Sequence, residues 1–157
     1  MLDLIFAIKF VHVLAAAAML GTWLALALFM HLAHRSNNTS VVALTSRFAV
    51  SVEKMVMIAA LALQPISGFP LAQAVGVSPA DHFWIGLSLA IYVVVVAAWL
   101  VTLRIEIRIR NMTRQAALDG VPLSDDYRRL FGFYRALVWP ALAGMVIVFL
   151  LMVWQPR

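Results

Sequence analysis

The chain has 157 residues, of which 64% are hydrophobic and 12% charged, with a formal net charge of +5 and no cysteine. Soluble domains carry roughly a quarter charged residues, so this composition, with a mean hydropathy of +0.96, excludes an ordinary soluble domain and leaves a polytopic membrane protein. The missing cysteines exclude disulfides, thiolate catalysis and thiolate ligation of iron, and basic residues gathered beside apolar runs exclude a nucleic-acid partner.

Four apolar runs approach the ~20 residues that cross a bilayer: about 4–30, 55–75, 83–103 and 137–154. They predict an all-α integral membrane four-helix bundle, a single transmembrane domain over 1–157 with the lipid bilayer as its first partner. Met1-Leu2-Asp3-Leu4 lacks the basic start of a cleaved signal, so none is expected.

The first run is interrupted by Lys9 and His12. Ionisable groups in hydrocarbon cost several kcal/mol unless compensated, and so mark functional positions. On a helical wheel, Lys9, His12, Ala16, Met19, Trp23 and Met30 share one stripe, with Ala17, Gly21 and Ala25 opposite. Small residues every four positions let membrane helices approach closely. That face is therefore expected to pack, within the chain or in a homo-oligomer, while the other presents His12. Ala16 would leave room beside the imidazole for a flat ligand such as haem, and Lys9 would pair with an acid group on it. The alternative is a histidine hydrogen-bonded to a neighbouring helix, with Lys9 reaching the interface.

His12 lies about eight residues, ~12 Å, inside the N-terminal end of its helix. Matching depths on the other runs fall at Ser67 and Gly68, near Tyr92, and near Met145. Met145 and His82 are the candidates for a second axial ligand, His82 only with a tilted helix; a five-coordinate iron is the remaining arrangement.

The second run holds a polar, broken patch, Gln64, Pro65, Ser67 and Gly68. Pro65 frees a backbone carbonyl, which suits either a cavity wall or a kink against a neighbouring helix. In the third run Trp84 reads as an interfacial anchor, and Tyr92 is deep enough to need a hydrogen-bond partner. His31 and His34 read as a wetted helix end. Glu53 and Asp81 look like ordinary span ends, and no carboxylate dyad, nucleophile–base pair or phosphate loop is visible.

The connection at 31–54 carries Arg35, Arg47 and Lys54, that at 104–135 carries seven arginines from Arg104 to Arg135, and that at 76–82 carries no lysine or arginine. The positive-inside rule then makes 31–54 and 104–135 cytoplasmic loops and puts both termini on the outer, periplasmic side of a bacterial inner membrane. Within 104–135, Glu106 and Arg110 stand at i, i+4 and predict a helical extension. Asp119-Gly120-Val121-Pro122 ends it, and Ser124 with Asp125 and Asp126 predicts a new capped start.

Lys9-x-x-His12, Gly21 and Trp23, Pro65-x-x-Gly68 and the closing Leu151-Met152-Val153-Trp154-Gln155-Pro156 resemble a family of bacterial four-helix membrane proteins of unknown function. That family resembles the HemJ-type protoporphyrinogen IX oxidases and, more distantly, the CopD-type copper-resistance proteins. The resemblance implies His12 as a haem b ligand. Ser88 stands where the oxidases carry a lysine, and Ala97, Ala98 and Trp99 where they carry further histidines, so porphyrinogen oxidation is not implied. The expected function is a haem b-binding electron carrier or haem-linked oxidoreductase subunit working with a quinone or a redox partner protein. Its site is His12 on iron with Lys9, Ala16, Gly68, Met145 and His82 around it. The alternative is a cofactor-free assembly subunit or a small-solute or copper-handling protein.

Overall fold

The computed structural model describes residues 2–77 and 82–154. Asp81, Gln155 and Pro156, singled out in the sequence, lie outside them. Four helices make up the chain: α1 (Leu2–Arg35), α2 (Thr39–Val75), α3 (Phe83–Leu118) and α4 (Asp125–Trp154). Each is long and apolar enough to cross a membrane.

The helices outrun the apolar runs. α2 alone has 37 residues, about 55 Å at 1.5 Å per residue against a hydrocarbon core of ~30 Å. The 31–54 connection is therefore mostly helix, and only Ser36, Asn37 and Asn38 lie between α1 and α2. The sequence carries the reason. Asn37 takes a left-handed φ of 50°, and the Asn38 side chain accepts the backbone N–H groups of Ser40 and Val41, capping the donors that α2 leaves open. The 104–135 connection is also largely helical. It breaks after Leu118, where Gly120 has φ 67°, and restarts with Ser124 accepting the Tyr127 N–H at 3.2 Å. Both the break and the restart fall where the sequence placed them.

Consecutive helices pack antiparallel, α1 on α2, α2 on α3 and α3 on α4, and the seam between α1 and α4 is the thinnest. Side chains set the register. His12 near the start of α1 meets Ser67 near the end of α2, and Ser46 near the start of α2 meets Thr113 near the end of α3 at 3.2 Å. At the other end of α1, His34 meets Tyr127 at the start of α4. One end of the bundle thus gathers the arginine-rich connections, and the other the start of α1, the end of α2, the start of α3 and the end of α4.

Within the chain, α1 packs through the His12 stripe and not through its small-residue face. Ala16, Met19, Trp23 and Met30, on the His12 stripe, are buried, while Ala17 and Gly21 are exposed. A Cβ on Gly21 would meet nothing within 4 Å. Without a hydrophobic drive between helices in lipid, dispersion contacts decide which face turns inward. The large Met and Trp side chains make more of them than a row of alanines.

Candidate functional site

Two polar clusters lie inside the bundle, one in each half. The first is built around His12. The Ser67 hydroxyl donates to the Leu63 carbonyl one turn back, which leaves its oxygen as the acceptor for His12 Nδ1–H at 2.8 Å. This network assigns the proton to Nδ1 and leaves the Nε2 lone pair without that commitment. The ring lies against Gly68: a Cβ there would sit 3.2 Å from His12 Cε1 and 3.7 Å from Nδ1. Gln64 Nε2 donates to the His12 backbone carbonyl at 3.1 Å. One helix face of α2 therefore holds the histidine by three adjacent positions. The depth reading from the sequence, Ser67 and Gly68 opposite His12, is what the structure has.

The break in α2 is satisfied in the same region. Pro65 has no N–H to offer the Leu61 carbonyl, and the Tyr92 hydroxyl of α3 donates to that oxygen at 2.7 Å. The unpartnered carbonyl and the deep tyrosine read from the sequence answer each other, so a neighbouring helix satisfies the interruption that Pro65 makes in α2.

The other residues expected around His12 are spread out. Ala16 is buried at 7% exposure, so bundle packing covers the surface that was to leave room for a macrocycle. Lys9 is exposed. Met145 is buried in the main core cluster, and His82 stands at the head of α3 with its Nδ1 buried and unpartnered. His12 is hydrogen-bonded to Ser67 and Gln64 and packs on Gly68.

The second cluster was not anticipated. Glu53 of α2 and Glu106 of α3 are both fully buried, at 0% exposure. Each carboxyl faces the other, with Trp99 beside Glu53 and Tyr134 of α4 beside Glu106. None of the four carboxyl oxygens, nor Trp99 Nε1, nor the Tyr134 hydroxyl, has a hydrogen-bond partner of good geometry. Glu53 is therefore no ordinary span end, and a carboxylate pair exists. The expected Glu106–Arg110 pair is absent; Arg110 bonds the Asn111 side chain at 3.0 and 3.2 Å. The signal was periodic: Ser46, Glu53, Gln64 and Ser67 fall on one helical face of α2, as Trp99, Thr102, Glu106 and Thr113 do on α3.

His34, expected at a wetted end, is instead packed. Its Nδ1 is 3.0 Å from the Tyr127 hydroxyl and its ring stacks on Phe131 with centroids 4.0 Å apart. The Arg135 guanidinium lies 5.9 Å from the centre of the same Phe131 ring. This stack closes the α1–α4 seam at the basic end. Among the described residues no group of three His, Cys, Asp or Glu side chains is placed to hold a metal ion.

A family model described as "Predicted integral membrane protein (DUF2269)" matches residues 6–156. No curated protein and no solved structure matches the chain.

Proposed function

The chain belongs to the DUF2269 family of predicted integral membrane proteins, and on that premise we propose that it binds haem b through His12, as an electron carrier or a haem-linked oxidoreductase subunit. The observation that carries the reading is the state of the imidazole. A histidine that ligates metal through one nitrogen characteristically donates the other ring N–H to a neighbour, which fixes tautomer and orientation. Ser67 Oγ lies 2.8 Å from His12 Nδ1, and with the Ser67 hydroxyl donating to Leu63 the matching tautomer donates from Nδ1 and leaves Nε2 for iron.

By their chemistry the residues present suit one axial ligand, while the buried Ala16 leaves no room for a macrocycle on its side of the ring. Ser67 holds the ring, Gly68 leaves it space, and Gln64 ties its backbone to α2. Bound haem would supply a one-electron carrier whose potential is set by its ligands and their hydrogen bonds. Lys9, one turn nearer the N-terminus, offers an ammonium for an acid group. Met145 and His82 are the side chains with the chemistry of a second ligand, and a quinone or a redox protein is the partner class.

Detergent-purified protein should be coloured, or become so with haemin, and show a Soret band that His12→Ala abolishes. Ser67→Ala removes the orienting acceptor and should weaken haem affinity by about 10–100-fold, the usual cost of losing such a partner. A colourless preparation that takes up no haemin sinks the reading and leaves the His12–Ser67 bond as a tie between α1 and α2 in a cofactor-free membrane protein.

The same proposal includes an orientation: the arginine-rich end in the cytoplasm of a bacterium and both termini outside its inner membrane. Ten of the twelve lysines and arginines fall in 31–54 and 104–135, and such loop charge sets orientation. The cysteine-free chain makes the check direct. In intact spheroplasts, a membrane-impermeant maleimide should label Val77→Cys and spare Ser36→Cys until the membrane is opened. The reverse pattern would invert the orientation.

A further inference from the structure

We infer that Glu53 and Glu106 form a proton-binding site, a pair of carboxyls on two helices that share one proton at neutral pH. The site lies a few residues beyond the basic ends of the apolar runs 55–75 and 83–103 and shares no side chain with the His12 cluster.

The geometry sets the charge the site can carry. Both carboxyls are at 0% exposure, and taking an ion out of water costs several kcal/mol even after relaxation. Two carboxylates side by side in such a place cannot both ionise without a compensating cation. Among the described residues no cation is bonded to either carboxyl. The buried residues of α1 are all hydrophobic; from α3 the pair is faced by Trp99 and from α4 by Tyr134; and no carboxyl oxygen has a lysine, arginine or histidine as a hydrogen-bond partner.

What surrounds the pair is a set of donors. Trp99 Nε1–H, at 5% residue exposure, and the Tyr134 hydroxyl, at 1%, are both unpartnered and sit against Glu53 and Glu106 respectively. Indole N–H can only donate. One proton on the carboxyl pair gives a third donor, an O–H from one acid to the other, and leaves a single negative charge for Trp99 and Tyr134 to stabilise. A divalent cation fits less well. Calcium or magnesium takes six or more oxygen ligands, whereas the site offers two carboxyls and one hydroxyl, and the indole N–H would point at the ion's ligands with nothing to give.

The test is infrared spectroscopy of the full chain in detergent at pH 7, where the exposed carboxyls among its seven Asp and Glu residues are ionised. A carboxylic-acid C=O band should be present at that pH and shift in D2O. Glu53→Gln and Glu106→Gln should each move it, and the double variant should lose it entirely. Helical circular dichroism checks that each variant folds; should the double variant fail, the two single variants decide. A wild-type spectrum with no acid band at pH 7 overturns the proposal, as does a band that neither single variant moves. A divalent ion found by elemental analysis in protein lacking the acid band overturns it in favour of a cation site.

Discussion

Gly68→Val should unseat His12 and remove whatever the histidine binds. The wild-type glycine leaves a gap that the imidazole fills: a bare Cβ already comes within 3.2 Å of Cε1, and valine adds two branched methyls on a helix that gives χ1 almost no freedom. The ring must swing away and lose its 2.8 Å bond to Ser67. Overpacking of this kind costs about 1–3 kcal/mol. The displaced ring no longer presents Nε2 in a fixed direction, so haem uptake should fall at least as far as in Ser67→Ala, by about 10-fold or more. Gly68→Ala should show the same changes in smaller size. Gly21→Ala is the control, because a Cβ there meets nothing within 4 Å and alanine is the better helix former by roughly 1 kcal/mol. Thermal unfolding in detergent together with the Soret band reads both effects. Wild-type melting in Gly68→Val would mean that the imidazole does not rest on Gly68.

The sequence was legible where a single helix decides the outcome. The four spans, the break at Asp119–Gly120 and the cap at Ser124 all follow from local composition and backbone chemistry. The depth of His12 opposite Ser67 and Gly68 was also legible, because antiparallel neighbours of known length fix levels even when their rotation is unknown. Rotation within the chain was not legible. A wheel shows that α1 has two faces, but the neighbours choose between them, and the face with Met19, Trp23 and Met30 offers more contact than the one with Ala17 and Gly21. The same gap hid the acid pair. Glu106 and Arg110 have the spacing of a surface ion pair, and only the position of α2 turns Glu106 inward to meet Glu53. The polar stripes through Ser46, Glu53 and Gln64 on α2 and through Thr102, Glu106 and Thr113 on α3 were the available sign, since polar groups at regular helical spacing in a membrane bundle tend to face protein.

The two clusters differ in chemistry. Around His12 the polar groups that position the ring, Ser67 and Gln64, both have partners within the chain. Around Glu53 and Glu106 the donors and acceptors are brought together without a closed set of hydrogen bonds, and a proton completes it. On the haem reading proposed above, moving an electron into a low-dielectric bundle would be favoured by a proton that follows it. Haem at His12 would therefore make the occupancy of the acid pair depend on redox state, a link readable as a change in the C=O band on reduction.

Tyr92→Phe should destabilise the fold by about 1–3 kcal/mol, the cost of leaving a buried polar group without its partner, and Pro65→Ala should abolish most of that loss. The Tyr92 hydroxyl is the donor to the Leu61 carbonyl at 2.7 Å, and that carbonyl is available only because residue 65 is a proline without an N–H. Removing the hydroxyl strands the carbonyl among apolar helices with no water to take its place. With alanine in place of Pro65 the backbone supplies its own N–H, the helix closes its hydrogen-bond ladder, and the tyrosine hydroxyl becomes dispensable. The two substitutions must therefore be non-additive: Tyr92→Phe costs its full amount in the wild-type background and little in the Pro65→Ala background. Unfolding free energies in mixed micelles for the four members of the cycle measure the coupling. Equal costs in the two backgrounds would show that Tyr92 does not serve the carbonyl that Pro65 frees. A coupling as large as the single loss would show that the interruption at Pro65 is held from α3, so that the level of Ser67 and Gly68 against the imidazole depends on the Tyr92 hydroxyl bond to Leu61.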